Sequence, residues 1–90
     1  MTNRAYVIKV NGTTKELDHR PTLDEAQEIV GGWVEMFPRS YMIDKKLIIY
    51  GNEEGLQRQL PVNKEASKLV HSTKVVGDIL VLEGWRSLGE

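Results

Sequence analysis

Two four-residue runs, Leu47-Ile48-Ile49-Tyr50 and Ile79-Leu80-Val81-Leu82, constrain this chain more than any other feature. Both are rich in strand formers and neither alternates. Successive strand side chains point to opposite faces, so a strand with one wet face reads apolar and polar in turn. A continuous apolar run means that both faces are covered. In ninety residues the cover must come from very few elements. If two short helices cover one face, the other needs a curled sheet, a barrel-like closure or a second copy of the chain. A homodimer is therefore expected.

The remaining elements follow from local signals. Arg4 to Val10 favours a strand, and Asn11-Gly12 after it marks a hairpin, with a two-residue turn in which both residues take positive φ. Thr13 to Leu17 returns as the second strand. Thr22 can cap a helix over 22–30, and Glu25 three residues on completes a capping box. Leu23, Ala26, Ile29 and Val30 share its apolar face, and Gly31-Gly32 ends it. Trp33 to Phe37, Lys46 to Tyr50 and Leu56 to Leu60 read as a meander of three strands. Asn63 caps a second helix through about Val70, and Asp78 to Glu83 is the last strand. The expected fold is α+β: a small antiparallel sheet of about five to six strands with two short helices. It forms one domain, 1–90, with a frayed tail over 84–90.

Composition removes several function classes. The longest apolar run is four residues, against roughly 20 for a membrane span, and the first residues lack the apolar stretch of a secretory leader. A cytoplasmic protein is expected, with no membrane partner. There is no cysteine, so no thiol nucleophile and no thiolate metal site. Twelve basic and 13 acidic residues give a net charge of −1, and they are spread evenly. Lys45-Lys46, the one basic pair, reads as a solvated turn. Nothing forms the basic stripe of a nonspecific nucleic-acid binder, so nucleic acid ranks last among the partners.

Catalytic patterns are missing as well. His19 and His71 lack metal-ligand spacing. Asp24, Glu25 and Glu28 belong to the polar first turns of a helix. No phosphate loop and no nucleophile elbow occurs. Trp33, Phe37, Tyr6 and Tyr50 are expected in or beside the core. Arg39 with Tyr41, and Trp85 with Arg86, pair a cation with an aromatic ring near apolar strands. Such pairs can stack on a nucleobase, and they are the first binding candidates.

Gly31-Gly32-Trp33-Val34-Glu35, Asn52-Glu53-Glu54-Gly55, Leu60-Pro61-Val62-Asn63 and Val76-Gly77-Asp78-Ile79 occur in that order. The ordered set resembles a family of small phage and mobile-element proteins known as a domain of unknown function. The resemblance covers about residues 29–83. The N-terminal hairpin lies outside the pattern, and Pro38-Arg39-Ser40-Tyr41 interrupts it. It implies a genetic context and no activity. The turn residues have plain structural roles, Gly55 supplying positive φ to its turn, but Asn52, Glu53 and Glu54 could also form a binding edge.

These readings favour a non-catalytic binding module, with a host protein as its partner in the host-cell cytoplasm and no cofactor or metal. The alternative is an oligomeric binder or sponge of a nucleotide signal, with nucleic-acid binding behind it. The candidate binding residues are Arg39, Tyr41, Asn52, Glu53, Glu54, Trp85 and Arg86.

Overall fold

A computed structural model describes residues 3–71 and 73–89. Five strands, β1 (Arg4–Ile8), β2 (Thr14–Leu17), β3 (Val34–Met36), β4 (Leu47–Asn52) and β5 (Ile79–Glu83), form one sheet in the order β2-β1-β5-β4-β3. All four pairings are antiparallel and the sheet does not close into a barrel. Two helices, α1 (Leu23–Val30) and α2 (Lys64–Ser67), complete the fold. Its radius of gyration is 11.8 Å.

The two apolar runs became β4 and β5, the inner strands of the sheet, covered on both faces. Leu47, Ile49, Ile79 and Val81 pack with Ala66 and Val70 of the α2 region, and with Met42 and Val75. Ile48, Tyr50, Leu80 and Leu82 pack on the opposite face with Ala26 of α1. The helices therefore do not share a face. One covers each, and the loops around Met42 and Val75 finish the α2 side. Both faces are closed within the chain, so the inference of a second copy loses its premise.

The helix signals hold in detail. The Thr22 hydroxyl accepts from the Glu25 N–H at 3.2 Å, and the Glu25 carboxylate accepts from the Thr22 N–H at 3.1 Å. Gly31 closes α1 in the left-handed region, φ 81°. Asn63 caps α2, but regular helix stops at Ser67, short of the expected Val70.

Three expectations are corrected. The first hairpin does not use a two-residue Asn-Gly turn. Lys9 N–H donates to the Thr13 carbonyl and Gly12 N–H to the Lys9 carbonyl, each at 2.9 Å. Only Gly12 takes positive φ, 93°, as in a three-residue hairpin loop. Asn11 instead accepts from the Thr13 N–H at 3.0 Å. Second, Leu56 to Leu60 is not a strand but a run of turns, in which Arg58 N–H donates to Glu54 and Leu60 N–H to Gly55. Gln59, not Gly55, takes the positive φ there, 54°. Gly55 is needed for room: a Cβ would lie 2.9 Å from Val76 Cγ2 and 3.2 Å from the Asn52 carbonyl. Third, the segment expected to fray is docked through residue 89. The Arg20 guanidinium donates to the Ser87 carbonyl at 2.9 Å and to its hydroxyl at 2.7 Å, and Gly89 N–H donates to the Pro21 carbonyl. Leu88 and Trp85 pack on the α1-side core. Glu90 lies outside the described residues.

Candidate functional site

The sheet register decides where scattered charges meet. Arg4 at the start of β1 is opposite Glu83 at the end of β5, and Glu83 is opposite Leu47 at the start of β4. The segments flanking these positions therefore emerge at one end of the sheet. They are the loop 38–46 before β4 and Gly84-Trp85-Arg86 after β5. Between them lies a cleft of about 470 Å³, lined by Arg4, Arg39, Lys45, Lys46 and Arg86, with Glu83, Gly84, Ile48 and Trp85. Five cations face one carboxylate there. The apolar part is formed by Ile48, which belongs to the core, and by half-buried Trp85, which packs on that core.

The cations are not equivalent. Arg4 is already engaged: its guanidinium donates to both Glu16 oxygens at 2.9 and 3.2 Å, lies 3.7 Å from Glu83, and sits 4.9 Å from the Tyr6 ring centre. Its hydrogen bonds to Glu16 raise its pKa further above the usual value and lower that of Glu16. Among the described residues Arg39, Lys45, Lys46 and Arg86 form no ion pair, and all four are exposed. The Arg39 guanidinium donates to the Lys45 carbonyl, and Lys45 Nζ returns a bond of 3.5 Å to the Arg39 carbonyl. Asp44 Oδ1 accepts from the Lys46 N–H at 2.9 Å, which makes a tight turn into β4. These bonds fix the loop that carries three of the cations. Like charges so close repel one another, and an anion relieves that repulsion.

The sequence-derived candidates divide. Arg39, Trp85 and Arg86 come together in this cleft. Tyr41, Asn52 and Glu53 line a second groove of about 320 Å³ beside the edge strand β3, with Glu35, Phe37, Leu56 and Val76. Arg39 and Tyr41, the first and last residues of a single 3₁₀ turn, therefore line different cavities. Glu54 lines a shallow pocket with Gln27, Gly32 and Trp33. Asn52 is buried, and its amide is occupied: Nδ2 donates to the Val30 carbonyl at 3.1 Å, and Oδ1 accepts from the Glu54 N–H at 2.8 Å. These two bonds lock α1 to the turn after β4.

Sequence reasoning left three cations of the cleft unassigned. Arg4 carried no signal, and Lys45-Lys46 read as a plain turn. They do occupy a turn, but one aimed at the cleft. Trp33 was expected at the core and is 68% exposed, and Leu56, read as a strand residue, is 75% exposed. Leu56 lines the second groove and Trp33 the shallow pocket with Glu54, and the Trp33 carbonyl accepts from the Glu53 N–H.

The histidines do not converge. His19, ahead of α1, lies between Asp18 at 2.7 Å and Glu25 at 2.6 Å, one carboxylate on each ring nitrogen. The two bonds, that to Asp18 foremost, raise its pKa above the ordinary value and lower those of both carboxylates. His71 follows α2 on the other face of the sheet, where its N–H donates to the Tyr41 carbonyl. Among the described residues no three of His, Cys, Asp and Glu gather as a metal-binding group. No helix there is long and apolar enough to cross a membrane.

Comparison with known proteins gives one match. The family model of a domain of unknown function, DUF3846, matches residues 1–88, and the chain belongs to that family. The match takes in the N-terminal hairpin and the Pro38 to Tyr41 segment, both outside the ordered motif pattern. No curated protein and no solved structure matches.

Proposed function

We propose that this member of the family is a non-catalytic binding module that holds an anionic partner in the basic cleft at the end of its sheet. One observation carries the reading. Four exposed cations without an ion-pair partner among the described residues converge on a concave, partly apolar site. Surface cations normally spread out or pair, because crowding them costs self-repulsion. A cleft of several hundred Å³ with an apolar floor and a few convergent polar groups is the usual form of a ligand site. The phage or mobile-element context rests on the ordered turn motifs, and the partner would then be met in the host cell.

The test is a titration of ¹⁵N-labelled protein with inorganic pyrophosphate. Amide shifts are expected to concentrate at 45–48 and 83–86, and to vanish in Lys45→Glu/Lys46→Glu. Shifts that are absent, or spread equally over the surface, would remove the reading.

The second groove, with the shallow pocket that Trp33 lines, favours another reading, docking of a host protein. Trp33 and Leu56 are two-thirds or more exposed, and large exposed apolar side chains mark protein contacts. Glu35 and Glu53 beside them suit a partner with basic side chains. Pull-down from host lysate by wild type but not by Trp33→Ala/Leu56→Ser would support it. No enrichment over a control would count against it.

A further inference from the structure

The cleft has two unlike halves, and their combination narrows the anion to one chemical class. We infer that it is a mononucleotide site, in which the cations hold the phosphates and the base stacks against Trp85. The inference rests on the anion-binding reading above. Three observations support it.

The first is polarity. Arg4 is engaged with Glu16 and lies close to Glu83, and the Glu83 carboxylate repels phosphate from that side. Arg39, Lys45, Lys46 and Arg86 have no ion-pair partner among the described residues, so phosphate oxygens belong with them. Arginine suits this by offering a planar fork of donors, lysine by a compact charge. The second is the ring. Trp85 is the one aromatic side chain of the lining, half-buried against the core. An indole held by packing has already lost its rotamer freedom, so little ordering remains to be done when a flat ligand stacks on it. Inorganic phosphate makes no use of such a ring. A nucleobase does, and an arginine beside it adds a cation–π contact. The third is size. About 470 Å³ accommodates one nucleotide, and the cavity is a cleft, not a groove that tracks a polymer backbone.

The lining has no feature that reads every base edge. Ile48 and Trp85 offer only apolar contact and one indole N–H. Weak discrimination among bases is therefore expected, with purines favoured by their larger stacking area.

Tryptophan fluorescence tests the inference directly. The chain has two tryptophans, and Trp33→Phe leaves Trp85 as the sole reporter. The probes are adenosine diphosphate, adenosine, inorganic pyrophosphate and a single-stranded oligonucleotide. Adenosine diphosphate is expected to quench Trp85 and to bind at least fivefold tighter than pyrophosphate. Trp85→Leu, in the Trp33→Phe background and followed by calorimetry, is expected to lose about tenfold in nucleotide affinity while keeping pyrophosphate affinity. Lys46→Glu is expected to weaken both. Pyrophosphate that binds as well as the nucleotide, with no quenching, would overturn the nucleotide inference and leave the anion cleft standing. Binding of the oligonucleotide alone would also overturn it, in favour of a nucleic-acid surface. If no probe binds at millimolar concentration, both proposals fail. Circular dichroism of each variant separates lost binding from lost folding.

Discussion

Asn63 offers the sharpest stability test, because one side chain joins three parts of the fold. It is fully buried. Its Oδ1 accepts from the Ala66 N–H at 3.1 Å, and its Nδ2 donates to the Ile8 carbonyl at 2.8 Å and the Gly77 carbonyl at 2.9 Å. The start of α2, the end of β1 and the turn before β5 thus hang on one amide. Asn63→Ala removes all three bonds. A lost N-cap costs about 1 kcal/mol, and each buried carbonyl left without its donor costs at least about 1 kcal/mol. The total is about 3 kcal/mol, against roughly 5–13 kcal/mol for a domain of this length, so the variant folds but is clearly weakened. Urea unfolding followed by circular dichroism should show a lower midpoint at unchanged slope. Two further variants separate the parts. Asn63→Ser keeps the cap alone and should recover about 1 kcal/mol. Asn63→Asp keeps the acceptor but turns a carboxylate toward two carbonyls, and should do no better than alanine. A loss below about 1 kcal/mol in Asn63→Ala, or an Asp variant as stable as wild type, would refute the reasoning.

Three other outcomes are expected. Gly55→Ala should cost about 1–3 kcal/mol through overpacking against Val76 and the Asn52 carbonyl, read in the same urea assay. His19 should titrate by NMR with a midpoint above about 6.5, since both flanking carboxylates favour its charged form. Its contribution to stability is complete below that ordinary value and is lost as pH rises through the raised one. The carboxylate share is lost as pH falls through the lowered values of Asp18 and Glu25. Asp18→Asn should lower the His19 midpoint, and an unchanged midpoint would disprove the pairing. Light scattering should report the mass of one chain, 10.2 kDa, because both sheet faces are already covered. A stable dimer would show that some other surface drives association.

What was legible in the sequence was whatever local chemistry settles. Thr22 with Glu25 fixes a helix start whatever surrounds it, and the apolar runs at 47–50 and 79–82 demanded two covered faces. What failed was decided in part by the geometry of individual turns and in part at long range. Leu56 to Leu60 has the length of a strand between two turn signals but no β-branched or aromatic residue, and a backbone bond joining Gly55 and Leu60 folds the segment into turns. Gly12 needs positive φ in either kind of hairpin turn, so the dipeptide Asn11-Gly12 located the turn without giving its length. The docking of the tail depends on Arg20 and Ser87, 67 positions apart. Trp33 looked like a core residue because tryptophan is highly buried on average, yet it falls just before the edge strand β3 and is 68% exposed.

The charge balance is the most instructive case. A net charge of −1, evenly spread in sequence, argued against a cationic site. The argument assumed that residues near in sequence are the ones whose fields add. In an antiparallel sheet the opposite holds at the strand ends, where the beginning of one strand meets the end of its neighbour. Arg4, Lys46 and Arg86 are far apart in the chain, but the register of β1, β5 and β4 brings them to one rim. Five cations against Glu83 and the Glu16 that holds Arg4 leave that rim at +3, so a chain of net −1 carries −4 elsewhere. The cleft end is therefore basic in a nearly neutral molecule, and an anion approaching it meets a field that the composition conceals. Because exposed charges are screened over about 8–10 Å at physiological salt, anion affinity should fall steeply as salt is raised. A salt-insensitive affinity would place the bound anion away from these cations.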